Sequence, residues 1–291
     1  MATDFQGDLR SRTVVRTYTA MGPSLSPLTS LRMAFGELYW SRHVVWHLFR
    51  RDFVVGFRQK LLGYLWIVLV PLIGIASFVF MQSTGILNPG DIGYPYPVFV
   101  FIGTTLWAIF MTAMGNVANG LIGNTDLVMR TNIPKIGLAV TGLAPLSYSV
   151  LVGFVVLAIV MMTVRMLPSA WAVLYPFAIL PIILLGVGMG LILSVVGAVA
   201  RDVTGMATTV INLVMYVTPV IYETKFEHPV LQFIVLWNPL TYLVDTPRSL
   251  FVLGRVPNPL GFTLSTIFAL VVFCVGIHAF YIIKDKVSER L

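Results

Sequence analysis

Long runs without charge divide this chain into segments of membrane-spanning length. After Lys60, six stretches carry no Asp, Glu, Lys or Arg, and they cover residues 61–90, 92–125, 136–164, 166–200, 203–222 and 256–283. Each can hold an apolar helix of about 20 residues, the length that a bilayer core requires. The pattern therefore predicts an all-α integral membrane protein with six transmembrane helices, at about 61–82, 98–121, 136–163, 171–200, 203–222 and 260–283.

A shorter charge-free stretch lies between the last two predicted spans. Residues 228–244 are apolar and aromatic, but Pro229 and Pro239 interrupt them, and Pro247 follows. A proline removes a backbone donor and clashes with the preceding turn, so a continuous span is not expected here. We expect short re-entrant helices on the extracytoplasmic side, between spans five and six.

The residues before the first span predict helices that lie along a membrane surface. Leu31–His47 is amphipathic and rich in Trp and Tyr. Further on, Phe49, Phe53 and Phe57 fall on one face of a helix and charged residues fall on the other. We therefore expect amphipathic interface helices over residues 31–60.

The two ends of the chain are expected to be cytoplasmic tails. Residues 1–30 contain three arginines and a Ser/Pro/Thr-rich stretch, but no apolar core of a signal peptide, so we predict a mobile tail. Residues 284–291, KDKVSERL, are polar and form the C-terminal tail.

Composition supports the membrane class, and charge adds an orientation. The chain is 57% hydrophobic and 11% charged, with a mean hydropathy of +0.89, which excludes an ordinary soluble domain. With a cytoplasmic N-terminus, fifteen of the 19 Lys and Arg residues fall inside, and four fall outside: Arg165, Lys225, Arg248 and Arg255. The positive-inside rule thus places both termini in the cytoplasm. The orientation in the membrane also explains the net charge of +7, so this basic composition does not indicate nucleic-acid binding.

Few residues offer chemistry of their own. Cys274 is the one cysteine, so no disulfide framework is possible. His43 and His47 have the spacing of metal ligands, but no third ligand accompanies them, and no metal site is predicted. The chain lacks a phosphate-binding GxxxxGK[ST] loop, intramembrane ionisable groups and a catalytic constellation. We therefore expect neither an enzyme nor an ion-coupled carrier, and energy must come from a partner.

Polar side chains recur at helical spacing on two predicted spans. They are Thr105, Thr112, Asn116 and Asn119 on the second span, and Thr208, Asn212 and Tyr216 on the fifth. Lipid cannot satisfy an amide, so each stripe either bonds to neighbouring helices or lines a wet conduit. For the second span both interpretations stay open, hydrogen bonding to neighbouring helices and lining of a conduit. For the fifth we favour the conduit, because Tyr216 offers a stacking face and a hydroxyl.

Two sequence features predict how the third and fourth spans pack. Pro145 is expected to kink the third span. On the fourth, small residues recur every four positions, which is typical of a helix face that packs closely against another membrane helix. These small residues are Gly186, Gly190, Ser194 and Ala198.

Several motifs in sequence resemble the ABC-2-type permeases of the polysaccharide and polyol-phosphate exporter family. RDFVVGFRQKLLGYLWIVLVPL resembles the family's basic helix that runs into the first span, and YPYPVFVFIGTTLWAIF the start of its second span. NTDLVMRTNIPK resembles its coupling helix, ARDVTGM and TPVIYE its RDV and SPVIY elements, and NPLTYLVDTPRSLF its external segment. The resemblance covers about Leu48 to Ile283. The family includes O-antigen and galactan exporters and teichoic-acid and capsule permeases.

The resemblance implies a transport subunit of the bacterial cytoplasmic membrane. It would work as a homodimer with two copies of an ATP-binding subunit, and would export a polysaccharide typically linked to undecaprenyl pyrophosphate. ATP and Mg would bind to the partner, and no cofactor would bind to this chain. An ABC-2 permease for a drug or small lipid is the alternative, as is a membrane scaffold that transports nothing.

Three sets of site residues follow. An arginine collar of Arg50, Arg51, Arg58 and Lys60 would bind the anionic head group, or would only anchor the helix. A short capped helix ended by Pro134 would dock on the ATP-binding subunit, or would only connect two spans, and its residues are Met129, Arg130, Thr131, Asn132 and Ile133. The predicted channel-lining residues are Trp66, Thr105, Thr112, Asn116, Asn119, Thr208, Asn212, Tyr216 and Tyr222.

Overall fold

The computed structural model describes residues 26–58, 63–120, 135–224 and 228–287, and these form helices joined by turns. The all-α prediction is confirmed for this part of the chain. A 3-10 helix covers Ala170–Leu174. The α-helices are α1 Pro27–Trp40, α2 Arg42–Arg58, α3 Gly63–Ser83, α4 Tyr96–Gly120, α5 Lys135–Thr141, α6 Ala144–Thr163, α7 Tyr175–Ala178, α8 Leu180–Val199, α9 Arg201–Val214, α10 Pro229–Trp237, α11 Pro239–Leu253 and α12 Pro259–Val287.

Within the described part of the chain, four helical stretches are long and apolar enough to cross a membrane. They are Tyr96–Gly120, Lys135–Thr163, Ala170–Gly197 and Pro259–Ile283, and they match the second, third, fourth and sixth predicted spans. The first span remains a prediction, and an apolar helix over Leu69–Ser83 covers its C-terminal part.

The fifth predicted span is shorter than the sequence suggested. Its helix α9 ends at Val214 after 14 residues, and turns follow over 215–219. Pro219 keeps the helix from running on to Tyr222, because it disfavours helical backbone at Thr218 and cannot donate to the Met215 carbonyl. The prediction of a span over 203–222 therefore differs from the structure in its second half.

Prolines also divide the third and fourth spans. The third turns at residues 142–143, immediately before Pro145, which confirms the predicted kink. The fourth was predicted as one helix from Trp171 to Ala200, but it consists of the 3-10 helix, α7 and α8. Pro176 and Pro181 stand near the start of α7 and α8, where a missing N–H costs no helical hydrogen bond.

Helix α8 lies at the centre of the bundle, between α4 and α12. The predicted small-residue face packs on α4, since a Cβ built on Gly186 lies 2.8 Å from the Phe110 carbonyl oxygen and one on Gly190 lies 2.6 Å from that of Met114. Gly188, outside the predicted stripe, faces α12, where its added Cβ lies 2.7 Å from the Phe273 Cα. Both faces of α8 therefore depend on glycine for backbone-to-backbone approach.

The N-terminal helix α1 is part of the bundle. It begins at Pro27, four residues before the predicted Leu31, because the Ser26 hydroxyl caps it by accepting from the Thr29 N–H at 3.3 Å. Residues 27–30, predicted as tail, are thus helical. The buried Ser30 Oγ is hydrogen-bonded to His278 Nδ1 of α12 at 3.1 Å, so α1 packs against the last span.

Helix α2 uses its aromatic face to contact the bundle. Phe49 stacks on Trp46 with ring centroids 5.7 Å apart, and on Phe53 at 6.4 Å. The Phe53 ring meets the ring of Tyr148 on α6 edge-on at 6.5 Å. The predicted amphipathic helix therefore contacts α6 through Phe53 and leaves Arg50 and Arg51 exposed.

Candidate functional site

The predicted arginine collar is described in part. Arg50 and Arg51 are exposed on α2. Arg51 forms an ion pair with the neighbouring Asp52 at 2.8 Å, so its charge is partly balanced. The side chain of Arg58 and the whole of Lys60 lie outside the described residues. The same holds for the predicted coupling residues Met129–Ile133 and for the side chain of Trp66.

The polar stripe of α4 turns towards α5 and α6. A Cβ built on Gly153 of α6 lies 3.1 Å from the Thr105 Cγ2, and one built on Gly142 lies 2.8 Å from the Asn116 carbonyl oxygen. Thr112 and Asn116 are half-buried, and Asn119 is exposed and donates to the Gly115 carbonyl at 2.8 Å.

Asn116 is the member of this stripe whose polar atom is not satisfied. Its Nδ2 is buried and has no hydrogen-bond partner among the described residues. A buried amide without a partner costs about 1–3 kcal/mol. A hydrogen-bond acceptor for the Asn116 amide must therefore come from outside the described residues of this single chain.

The stripe of α9 lies near one edge of the chain. Thr208 donates to the Thr204 carbonyl at 3.0 Å and to that of Gly205 at 2.8 Å. Asn212 is exposed, and its Oδ1 lies 3.5 Å from the indole nitrogen of Trp107 on α4. This long contact joins the amide of α9 to an indole that lies on a different face of α4 from the polar stripe.

The tyrosines after α9 continue this edge. Tyr216 is 65% exposed, and its carbonyl accepts a hydrogen bond from the Tyr222 hydroxyl at 2.9 Å. On α9 itself, the side chains of Met206, Val210 and Leu213 are also exposed. The edge thus combines uncovered apolar side chains with an exposed amide and phenol.

A buried arginine, absent from the predicted site, organises the end of the bundle at which α4 begins. Arg248 on α11 is 1% exposed. It donates to the carbonyl oxygens of Pro219 at 3.2 Å and Val220 at 3.3 Å, and pairs with Asp245 at 3.0 Å. We call this group, together with Phe99, the arginine junction.

Aromatic rings complete the surroundings of this guanidinium. Its Cζ lies 3.7 Å from the centroid of the Phe99 ring, within the range of a cation–π contact. Tyr94 contacts Phe99 at 5.9 Å. Burial raises the pKa of Tyr94 to about 12, with Arg248 lowering it and Asp245 raising it to smaller extents. The phenol therefore stays neutral at physiological pH.

The arginine junction and its neighbours hold the turn that follows α9 in place. Gly103 of α4 permits the close approach, because a Cβ there would overlap the Val220 carbonyl oxygen. Tyr96 donates to the Ile221 carbonyl at 3.1 Å, and Asn238 Nδ2 donates to Thr218 Oγ1 at 2.9 Å. Asn238 also caps α11 by accepting from the Leu240 N–H at 3.0 Å. The turn after α9 is thus fixed to both α4 and α11.

One signal in the sequence pointed to this junction. Asp245 and Arg248 are three residues apart in an otherwise apolar segment, the spacing of an ion pair on one helical face. Their carbonyl partners lie in a distant segment, which no local pattern reveals.

Comparison with known proteins gives a consistent result. Residues 43–252 match the profile of the "ABC-2 type transporter" family. An O-antigen export system permease protein RfbA of Klebsiella pneumoniae is 24% identical over 244 residues, covering 83% of this chain and 92% of that protein. RfbA of Myxococcus xanthus is 24% identical over 230 residues, covering 76% and 85%. The polysialic acid transport protein KpsM of Escherichia coli is 23% identical over 238 residues, covering 79% and 89%.

Proposed function

Because this chain belongs to the ABC-2 type transporter family, we propose that it is the permease subunit of an ABC exporter that moves a lipid-linked polysaccharide across the bacterial cytoplasmic membrane. The observation that carries the substrate class is that relatives over most of the chain are named for export of O-antigen or polysialic acid. The chain is a transport subunit and not an enzyme.

The membrane topology that we propose has six spans with both termini in the cytoplasm. The distribution of Lys and Arg supports this orientation. It places the arginine junction on the extracytoplasmic side and α2 on the cytoplasmic side. Helices α10 and α11 would then be re-entrant, which the burial of α11 against α4, α7 and α12 supports.

The partners in this proposal are a second copy of the chain and two copies of an ATP-binding subunit that holds ATP and Mg. The exposed edge at α9 supports the homodimer, because an exposed amide such as Asn212 is costly in lipid, and a second copy that faces this edge would enclose it between the two chains. The segment Met129–Ile133 would dock on the ATP-binding subunit, as the family resemblance implies.

We propose that the glycan passes along the α9 edge, close to α4. Two observations support this path: Asn212 lies beside Trp107, and Tyr216 is exposed. An uncharged path lined by amides and aromatic faces suits a neutral sugar chain. Thr208 and Tyr222 would extend this lining, and Trp66 would add a further aromatic face. The α4 stripe faces α5 and α6 instead, so it would line the conduit only on that other side of α4.

Single cysteines at positions 208, 212 and 216 test this path. In a Cys274→Ser background, a membrane-impermeant thiol reagent should label Thr208→Cys, Asn212→Cys and Tyr216→Cys during ATP turnover, because a sugar path contains water. Ile267→Cys, on an exposed apolar part of α12, is the control that should stay unlabelled. Protection of all three positions, at rest and during turnover, would show that the stripe only packs helices.

Charge reversal tests the head-group role of the arginine collar. Arg51→Glu combined with Arg58→Glu should reduce glycan export at least tenfold, because a pyrophosphate needs cationic hydrogen-bond donors. Membrane insertion, measured by protease protection, should stay normal. Arg255→Glu, exposed on the opposite side in our topology, should export normally. Normal export by the double variant would mean that the arginine collar only anchors α2 at the membrane.

Depletion of the chain tests the function as a whole. Lipid-linked glycan should accumulate on the cytoplasmic side, and that glycan should stimulate the ATPase activity of the purified complex. Unchanged glycan export would instead favour a drug or small-lipid exporter. A complex whose ATPase responds to no lipid-linked compound would favour a scaffold.

A further inference from the structure

The backbone carbonyl of Tyr216 loses its helical partner where α9 ends. In a continuing helix, the N–H of Val220 would donate to this carbonyl, four residues earlier. Here the Val220 N–H donates to the Thr218 carbonyl at 2.7 Å instead. None of the described backbone N–H groups donates to the Tyr216 carbonyl, so its hydrogen bond must come from a side chain.

The hydroxyl of Tyr222 supplies this hydrogen bond. It donates to the Tyr216 carbonyl at 2.9 Å, across six residues of the chain. The bond joins the two ends of the turn that follows α9. The position of Tyr216 therefore depends on where the ring of Tyr222 stands.

The backbone on both sides of Tyr222 is anchored to distant segments. The Ile221 carbonyl accepts a hydrogen bond from the Tyr96 hydroxyl at 3.1 Å. The Glu223 N–H donates to the Pro89 carbonyl at 2.8 Å. The ring of Tyr222 thus projects from a backbone that α4 and the loop before it hold in place.

The residues around Tyr216 are held by local hydrogen bonds. The backbone N–H groups of residues 215–217 each donate to the carbonyl three residues earlier, at 3.1–3.2 Å. Such bonds belong to 3-10 geometry, which is weaker than that of an α-helix. The Tyr216 side chain is 65% exposed, so packing restricts its ring only weakly. The bond from Tyr222 ties this loosely held residue to the anchored part of the turn.

We propose that Tyr222 is a positioning residue for transport, and that its hydroxyl holds the Tyr216 ring in the path of the glycan. The proposal rests on the proposed function, because it takes Tyr216 as a residue that contacts the sugar chain. A ring that is already fixed loses less conformational freedom when a sugar stacks on it, so it binds the sugar better. Tyr222 acts through the backbone of Tyr216 and needs no contact with the sugar for this role.

Export by single and double variants tests whether Tyr222 acts through Tyr216. Tyr222→Phe keeps the ring and removes only the hydroxyl, and it should reduce glycan export per folded protein at least threefold. Tyr216→Ala should reduce export at least tenfold. In the Tyr216→Ala background, Tyr222→Phe should cause no further loss, because the ring that it positions is absent. Two independent effects would multiply to a loss of about thirtyfold.

Tyr242→Phe is the matched control. The Tyr242 hydroxyl donates to the Leu236 carbonyl at 2.9 Å, also across six residues, and its ring packs against Gly261 of α12. This variant loses a hydrogen bond of the same kind and length, but away from Asn212 and Tyr216. It should melt at the same temperature as Tyr222→Phe and export glycan like wild type.

A spin label at position 216 gives a measurement that does not depend on the cargo. In the Cys274→Ser background, a nitroxide attached to Tyr216→Cys should become more mobile when Tyr222→Phe is added. Adding Tyr242→Phe should leave its spectrum unchanged. An unchanged spectrum with Tyr222→Phe would overturn the positioning role.

The variants separate a failure of this proposal from a failure of the proposed function. Normal export by Tyr222→Phe, or a multiplied loss in the double variant, would overturn the positioning role and leave the path at α9 intact. An equal loss in Tyr242→Phe would show that such bonds matter only for stability. Normal export by Tyr216→Ala would overturn the path itself. A wild-type protein that exports no glycan would overturn the proposed function.

Discussion

Arg248→Gln is expected to remove most of the folded protein from the membrane. The change leaves the buried carbonyls of Pro219 and Val220, and the partly exposed carboxylate of Asp245, without the guanidinium that donates to them. Removing one partner of a buried ion pair costs about 3–5 kcal/mol, which is a large part of the stability of a typical domain. The melting temperature of the detergent-purified protein and its abundance in membranes measure the effect.

Two companion variants show whether the geometry or only the charge of Arg248 matters. Arg248→Lys keeps the charge but loses the planar fork, so it should recover part of the stability and not all of it. Arg255→Gln removes an exposed arginine a short distance along the chain and should melt like wild type. A wild-type melting temperature for Arg248→Gln would mean that the junction does not hold the turn after α9.

Gly188→Ala is expected to destabilise the contact between α8 and α12. The added methyl carbon would lie 2.7 Å from the backbone of Phe273, which cannot move aside as a flexible side chain does. Overpacking of this kind costs about 1–3 kcal/mol. The melting temperature should fall, and Gly276→Ala should have the same effect, because its Cβ would overlap the Gly188 carbonyl oxygen.

Gly115→Ala is the matched control for this second prediction. It makes the same change within the membrane helix α4, where a Cβ meets nothing within 4 Å. Alanine favours helix over glycine by up to about 1 kcal/mol, so this variant should be neutral or slightly more stable. If Gly188→Ala behaved like Gly115→Ala, the two helices would have room to separate.

The local sequence assigns neither Arg248 nor Gly188 a structural role. Arg248 is one of four basic residues expected outside the cytoplasm, and Gly188 lies outside the stripe of small residues. Each depends on a partner from a distant segment, Val220 for the arginine and Phe273 for the glycine. A long-range contact of this kind leaves no periodicity in the local sequence.

The sequence alone determined the helical class and most of the spans. An apolar run of about 20 residues must satisfy its backbone within itself in lipid, so composition and helix are tightly linked. Pro145 marked the break in the third span for a similarly local reason, since a missing N–H acts where it occurs. The family resemblance can likewise be recognised from the sequence, because each of its motifs is a continuous segment.

Only the tertiary structure decided which surfaces of these helices meet. Thr105 looks the same in the sequence whether it lines a conduit or packs against Gly153 of α6. Ser30, expected in a mobile tail, is buried against His278 at the other end of the chain. The helix period tells which residues share a face, but the partner of that face depends on packing between segments far apart in sequence.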